Sequence, residues 1–399
     1  MRAWLLAVLL FTILLLGGFH SLALISDGDS DGHYLHHGWL IMRGELSLYE
    51  ESQTGHRTIF PYWLIGLSQI LFGPSLLAGR AFSLLAGWAG VLVLWFTSRR
   101  ALGEPAGTLT LLFLASSQYL MAHMAVAAFH GLAFLWVALG AWFLVASDSR
   151  WRRACVVLCA WGLFLTRPQF GLAVPAAALW GLGTARSRPA RVAVALAFVG
   201  PGFLFLVAYW PGVLKMAAYV PPLAPWAAFQ GWVAVPLPPE PDWGTRVWRG
   251  LVLVLRSYKG WIAAGLAAWA LWPVGGAALP PAARRLLWAF LFLAASQLTV
   301  VNYSWKAAVG YFPAFAGLLA VPLAARYAQL FAAANSAPAG RFRSIPRLVT
   351  WRADFAAAAL AGVLLLGPVA SPPPTLPLAV DPARYAALEA ERAGRDLAR

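Results

Sequence analysis

The chain has 399 residues, of which 61% are hydrophobic and only 11% are charged, and its formal net charge is +15. Soluble domains carry roughly 25% charged residues, so this composition excludes an ordinary soluble protein and predicts a polytopic membrane protein. The basic residues are nearly all arginines in short segments between apolar runs. Membrane topology explains this pattern, so nucleic acid is not expected as a partner.

Apolar runs long enough to cross a bilayer recur along the chain and predict an all-α fold with about eleven membrane spans. The first run, residues 3–25, is expected to be a retained anchor, because no small-residue cleavage site precedes Asp27. The run from Phe60 to Phe72 is too short to span and is expected to lie in the interface or to re-enter, and residues 243–256 are also expected to be interfacial. The other spans are expected near 76–97, 106–122, 125–147, 154–167, 169–184, 192–211, 259–277, 286–301, 307–325 and 353–370.

The expected domain organisation is one transmembrane domain over residues 1–370, followed by a short tail over 371–399. Three consecutive prolines, Pro372 to Pro374, open that tail. The tail is too small to form a domain of its own.

The distribution of arginine gives the expected orientation. With the N-terminus inside, every arginine-rich loop falls on the cytoplasmic side, as the positive-inside rule requires. The acidic cluster described next then lies on the non-cytoplasmic face. The expected localisation is the inner (plasma) membrane, with several passes and the active site on the outer face. The arginines that set this layout are Arg99, Arg100, Arg150, Arg152, Arg153, Arg186, Arg188, Arg191, Arg284, Arg285, Arg326, Arg341, Arg343, Arg347 and Arg352.

An acidic cluster follows the first apolar run directly. Asp27, Asp29 and Asp31 alternate with small residues, and six of the fifteen acidic residues lie between Asp27 and Glu51. Acids are costly near hydrocarbon, so this cluster is a functional-site hypothesis. A carboxylate here can deprotonate an incoming hydroxyl or amine. A divalent-cation site formed by the same three residues and a solvated polar loop stay open as alternatives; an EF-hand is disfavoured, because its twelfth position is Gly38.

Histidines follow the acids. His33 and His37 are four residues apart and could share one helix face. A zinc site would need further ligands, and no spacing elsewhere supplies them. Contact with a substrate, or plain interface polarity, is the preferred interpretation.

Three basic residues are expected near the outer ends of spans: Arg80, Arg167 and Lys306. Long basic side chains near a helix end can snorkel to the interface. The alternative is a clamp for an anionic head group such as phosphate, in which arginine offers bidentate geometry and lysine a point charge. Arg80, slightly deeper in its span, fits snorkelling less well.

The order of several short motifs resembles the GT-C membrane glycosyltransferases. The nearest set is the bacterial polyprenyl-phosphate-sugar transferases similar to protein O-mannosyltransferases and the lipid A aminoarabinose transferase. The resemblance covers most of residues 1–325, and its order and spacing are more specific than any one motif. The motifs are Asp31-Gly-His-Tyr34, Gly44-Glu45, Phe60-Pro-Tyr-Trp-Leu64, Leu71-Phe-Gly73, Ala78-Gly-Arg80-Ala-Phe-Ser83, Leu165-Thr-Arg167-Pro-Gln-Phe-Gly171 and Lys306 to Pro313.

This resemblance implies a GT-C-like fold and specific roles. The first outer loop would supply the catalytic acid, with Asp31 the best base and Asp29 or Asp27 the alternates. The implied partners are a polyprenyl-phosphate sugar donor, an envelope glycan, lipid or protein acceptor, and the bilayer. No cofactor is implied beyond the divalent cation left open above. The chain departs from the family pattern at Ile59-Phe60-Pro61, where Lys-Pro-Pro is usual and Arg57 is the expected substitute for the lysine, and at His130, where a second acid is common. The implied substrate-binding residues are Tyr34, Glu45, Arg57, Arg80, His130, Arg167, Lys306 and Tyr311.

The expected function is therefore transfer of a sugar from a polyprenyl-phosphate-linked donor on the non-cytoplasmic face. A transporter or flippase for a lipid-linked or small anionic solute is the alternative. Transporters tend to show inverted repeats and broken helices at the membrane midplane, and neither is found in this sequence. A non-catalytic scaffold is a third hypothesis, against which stands the placement of polar residues at one face.

Overall fold

The computed structural model describes residues 28–48, 59–115, 123–147, 149–210, 278–300 and 305–336, with a few isolated positions outside these ranges. All regular structure in these residues is helical. The helices are α1 (Gly28–Met42), α2 (Ile59–Phe72), α3 (Leu76–Leu102), α4 (Glu104–Ala115), α5 (His130–Ala141), α6 (Arg152–Thr166), α7 (Ala173–Thr184), α8 (Arg188–Tyr209), α9 (Pro281–Val300) and α10 (Trp305–Ser336).

Local sequence sets several helix ends. Ser75 and Ser187 begin α3 and α8 as N-caps, with each hydroxyl accepting a hydrogen bond from the backbone N–H three residues later. Gly103 ends α3 with φ +93°, a backbone conformation that glycine adopts without steric cost. Gln69 braces the turn between α2 and α3, because its Oε1 accepts from the Ser75 N–H at 2.6 Å.

The hydrophobic core lies where α3, α4, α5, α9 and α10 pack together. Helix α6 packs on α5 and also contacts α7 and α8, while α1 and α2 pack on each other beside α3. Within the described part of the chain, Leu76–Leu102 and Arg188–Tyr209 are long and apolar enough to cross a membrane, and three shorter apolar helices accompany them. The all-helical prediction is confirmed, whereas the count of eleven spans stays a prediction.

Several helix boundaries differ from those predicted. The predicted span 106–122 is helical up to Ala115, and most of its remaining residues lie outside the described part of the chain. The predicted span 125–147 begins at His130, because residues 125–129 form a bent segment whose Ala128 carbonyl accepts a hydrogen bond from Ser83 Oγ at 3.4 Å. The same span ends in a π-helical turn, Trp142–Ala146. The predicted segments 3–25, 243–256, 259–277 and 353–370 and the tail 371–399 lie wholly or largely outside the described residues.

Arginines join helix ends at one end of the bundle. Arg100 Nε donates to the Ala146 carbonyl at 2.9 Å, and Arg191 Nε donates to the Ala185 carbonyl at 3.2 Å. Arg153 Nε donates to Thr184 Oγ1 at 3.1 Å. This region, where α3, α5 and α7 finish and α6 and α8 begin, is termed the arginine end. Its bonds bring together arginines that the sequence analysis placed on one side of the membrane.

Arg326 departs from its expected place in a loop after a span ending at 325. It lies inside α10, its side chain is fully buried, and its Nη2 donates to the Ala270 carbonyl at 2.8 Å. Its Nη1 donates to Gln329 Oε1 at 2.7 Å. These bonds explain how the bundle tolerates a buried guanidinium.

Candidate functional site

A close glycine contact joins α1, the helix that carries Asp29 and Asp31, to α2. A β-carbon built on Gly66 would collide with the carbonyl oxygen of Gly38, and one built on Gly38 would lie 2.8 Å from the Tyr62 carbonyl oxygen. Small residues let helix backbones approach this closely in membrane proteins. The contact therefore fixes α1 against the hairpin formed by α2 and α3.

Two histidines of α1 and a tyrosine of α2 form a buried polar cluster beside this contact. His33 Nε2 and the Tyr62 hydroxyl are hydrogen-bonded at 2.5 Å, and His37 Nδ1 donates to the His33 carbonyl at 3.0 Å. The two imidazole rings are 4.2 Å apart between centroids, so the prediction that they share a helix face is confirmed. Both are buried.

Tyr34 links α1 to the far end of α6. Its hydroxyl accepts a hydrogen bond from Arg167 Nη1 at 3.2 Å, and its side chain is only 2% exposed. Arg167 is the residue at which α6 ends, and its guanidinium lies 4.7 Å from the ring centroid of Phe129. A cation over an aromatic face is electrostatically favourable. Residues 133 positions apart in the chain thus meet at one point.

Arg80 and His130 are both buried near the bent segment 125–129. Arg80 is 3% exposed, which argues against snorkelling, because a snorkelling arginine keeps its guanidinium in the aqueous interface. It lies one turn before Ser83, the residue that bonds to Ala128. The His130 ring is 4.0 Å from that of Phe129 and 5.1 Å from that of His123, and none of the described residues hydrogen-bonds to its Nδ1.

The region that holds Tyr34, Arg80, Phe129, His130 and Arg167 is termed the site end. Helices α3 and α5 run from the site end to the arginine end, and α6 runs back, so the two ends are opposite ends of the bundle. Helix α10 contacts the site end through Phe315 and Phe170, whose centroids are 6.4 Å apart.

The remaining predicted site residues divide into three groups. Glu45 is exposed and pairs with Arg43 at 2.6 Å, so the structure does not bring it into the buried cluster. Asp27 and Arg57 lie outside the described residues. Asp29 and Asp31 belong to α1, and Lys306 and Tyr311 to α10, and only the backbone of these four is described.

The sequence does not single out Tyr62, Phe129 or His123. Tyr62 stands in the motif Phe60-Pro-Tyr-Trp-Leu64, but nothing in that motif gives its hydroxyl a role. Phe129 has the pattern of an ordinary residue of a span, because nothing in the local sequence reveals the bent segment before His130. The spacing of His123 and His130 at seven residues was the available signal for their proximity.

The arrangement can hold an anion. Arg80 is buried and Arg167 is partly buried, and their guanidinium groups and the Tyr34 hydroxyl supply hydrogen-bond donors where access of water is reduced and such bonds are stronger than in water. Among the described residues, no group of three or more His, Cys, Asp or Glu side chains could hold a metal ion. The divalent-cation alternative concerns Asp27, Asp29 and Asp31, whose side chains lie outside the described part of the structure.

Residues 56–213 match a family model described as dolichyl-phosphate-mannose-protein mannosyltransferase. No curated protein matches the chain in sequence. The fold is similar to crystal structures of ArnT from Cupriavidus metallidurans. The apo form has a TM-score of 0.54 and 18% identity, over 81% of this chain and 60% of that chain. The form bound to undecaprenyl phosphate has a TM-score of 0.53 and 18% identity, over 90% of this chain and 70% of that one.

The chain thus spans about 60% of the length of the apo ArnT chain. The family match covers less than half of the present chain, and the structural likeness adds the fold. Both findings agree with the resemblance drawn from the sequence motifs: residues 56–213 are similar to the protein mannosyltransferases, and the fold is similar to that of ArnT.

Proposed function

We propose that the protein transfers a sugar from a polyprenyl-phosphate-linked donor to a lipid, glycan or protein acceptor on the non-cytoplasmic membrane face. The observation that carries this proposal is the hydrogen bond between Arg167 and Tyr34. It joins a partly buried cation to the helix that bears Asp29 and Asp31, which supports a proposed phosphate site and a proposed base at the same end of the bundle.

The chemistry is displacement at the anomeric carbon. Asp31 precedes Tyr34 by three residues in α1, less than one helical turn. As a general base it would take the proton of the acceptor hydroxyl or amine while the acceptor attacks the sugar. The bond from the anomeric carbon to the lipid phosphate breaks, and its electron pair leaves with the phosphate. Arg80 and Arg167 would stabilise the negative charge that develops there.

Lys306 and Tyr311 belong to the same proposal as donor-binding residues. They precede Phe315 on α10, the residue through which this helix contacts the site end. Lys306 precedes Phe315 by nine residues, or about 14 Å of helix. Asp29 and Asp27 stay as alternates for the base, and Glu45 and Arg57 stay as proposed substrate-binding residues.

The fold supports the transferase more than the transporter or flippase. The structure of ArnT that is similar to this one was solved with undecaprenyl phosphate bound, and this is the class of carrier proposed for the present protein. The proposed localisation is the inner membrane, and the proposed domain organisation is one transmembrane domain over residues 1–370.

The test is mass analysis of the surface glycans and lipids of a deletion strain, complemented with the wild type or with Asp31→Asn. The deletion should remove one sugar modification, and the wild type should restore it. Asp31→Asn keeps the size of the side chain and removes the base, so transfer should fall by roughly 10²–10⁴-fold while the protein still accumulates in the membrane. Normal transfer in Asp31→Asn and in the triple variant with Asp27→Asn and Asp29→Asn would rule out this acidic cluster as the catalytic centre.

A further inference from the structure

An apolar cavity of about 370 Å³ opens between α5, α6, α7 and α9. This volume lies in the range of small-molecule sites, roughly 300–1,000 Å³. Three tryptophans line the cavity, Trp136, Trp180 and Trp288, and most of its other lining residues are small or aliphatic. Trp288 is 58% exposed, so the cavity is open toward the surroundings of the bundle rather than sealed in its core.

The cavity has a cationic edge. Of the residues that line it, Arg285 alone is charged, and it lies in the first turns of α9. Arg285 is exposed, and none of the described residues forms a hydrogen bond or ion pair with it. Val156, another lining residue, lies one turn after Arg152 on α6. A deep apolar space with a free guanidinium at its edge matches a molecule with an apolar chain and an anionic head group.

This edge faces the arginine end. Helix α9 packs against the π-helical turn Trp142–Ala146, whose last carbonyl accepts the hydrogen bond from Arg100. The Tyr34–Arg167 contact lies beyond the opposite end of α6, and α6 has 15 residues, or about 22 Å of helix. A donor whose phosphate bound at Arg285 could not also place that phosphate at Arg167. The cavity is therefore separate from the proposed donor site.

We propose that this cavity binds an anionic phospholipid of the leaflet at the arginine end. One acyl chain would lie among Trp136, Trp180 and Trp288, and the phosphate would contact Arg285. Lipid chains are as apolar as the cavity wall, so apolar contact alone does not select one lipid over another. Selection would come from the charge, since basic pockets between transmembrane helices bind anionic head groups. The site would hold a structural lipid where α5, α6, α7 and α9 meet.

The test is native mass spectrometry of the purified protein in detergent, titrated with dioleoyl phosphatidylglycerol or dioleoyl phosphatidylcholine. The wild type should retain the anionic lipid in preference to the zwitterionic one. Arg285→Gln should lower occupancy by phosphatidylglycerol about fivefold and leave phosphatidylcholine unchanged. The matched control is Arg150→Gln, which removes an exposed arginine that stacks on Trp151 at 5.2 Å and does not line the cavity.

A second variant tests the apolar part. A β-carbon added at Gly140 would meet only Cys159 Cβ, at 3.7 Å, so Gly140→Leu should be accommodated and should fill the cavity. It should reduce binding of both lipids. Equal retention of the two lipids by the wild type, or the same loss in Arg150→Gln as in Arg285→Gln, would overturn the proposal. Displacement of phosphatidylglycerol by a short-chain polyprenyl phosphate, lost in Arg285→Gln, would assign the cavity to the carrier instead and would also overturn it.

Discussion

Replacing Arg167 with lysine tests whether this residue holds a phosphate through its planar fork or only through its charge. Lysine keeps the positive charge but cannot form two parallel bonds to one phosphate. Because lysine keeps the charge and one bond to the phosphate, we take the lower part of the usual 1.5–3 kcal/mol for a hydrogen bond to a charged group. A loss of ~1.5 kcal/mol corresponds to about tenfold weaker binding.

The assay is the Kd of a short-chain polyprenyl phosphate for the purified protein in detergent. Tyr34→Phe removes the hydroxyl that orients Arg167 and should weaken binding in the same direction. Since the two side chains touch, the double variant should lose less than the sum of the single losses, with a coupling of about 0.5–3 kcal/mol. Arg150→Lys is the matched control, because it makes the same chemical change on an exposed residue at the arginine end.

An unchanged Kd in both Arg167→Lys and Tyr34→Phe would refute the reasoning. It would leave the pair as a packing contact between α1 and α6, and the transferase proposal would lose the observation that carries it. Additive losses would mean that Tyr34 and Arg167 act on the carrier separately, and would refute the view that the tyrosine orients the arginine.

Two further outcomes follow from the packing and from the expected orientation. Gly66→Ala should destabilise the protein by about 1–3 kcal/mol through overpacking against Gly38. Gly183→Ala, where an added β-carbon meets nothing within 4 Å, should be neutral or stabilising. Thermal unfolding in detergent compares the two variants, and equal midpoints would contradict the close contact between Gly66 and Gly38. A cysteine at Ser52 should react with a membrane-impermeant thiol reagent in intact cells (permeabilised if an outer membrane is present) while one at Ser187 stays protected, and the reverse pattern would invert the orientation.

Composition and apolar run length were sufficient for the helical class and for most helix positions, because both depend on local hydrophobicity. The face shared by His33 and His37 followed from helical periodicity alone. The start of α5 at His130 could not be predicted from periodicity. Residues 125–129 are compatible with a helix, and their bent path depends on packing against Ser83. Tertiary contacts override local preference in such cases.

In the candidate site, too, local sequence identifies single residues, whereas tertiary packing decides which of them meet. The sequence marked Tyr34 and Arg167 separately, but their contact across 133 residues depends on how α1 and α6 pack. The partnership of Tyr62 with His33 was missed for the same reason, because it depends on the crossing of α1 and α2 at two glycines. The burial of Arg326 against the Ala270 carbonyl likewise required knowledge of which segment lies beside α10.

The bonds at the arginine end bear on why arginine is so strongly preferred over lysine, which occurs only at positions 215, 259 and 306. The orientation of a membrane protein depends on the positive charge of its cytoplasmic loops, and lysine and arginine supply that charge equally. The carbonyl of Ala146 and that of Ala185 each receive an Nε–H, a donor that lysine does not have. The same arginines therefore have two separable effects. Their charge sets the orientation of the chain during insertion, and their Nε–H groups join helix ends during assembly. A chain with lysine at positions 100, 153 and 191 would keep its orientation in the membrane and assemble into a looser bundle.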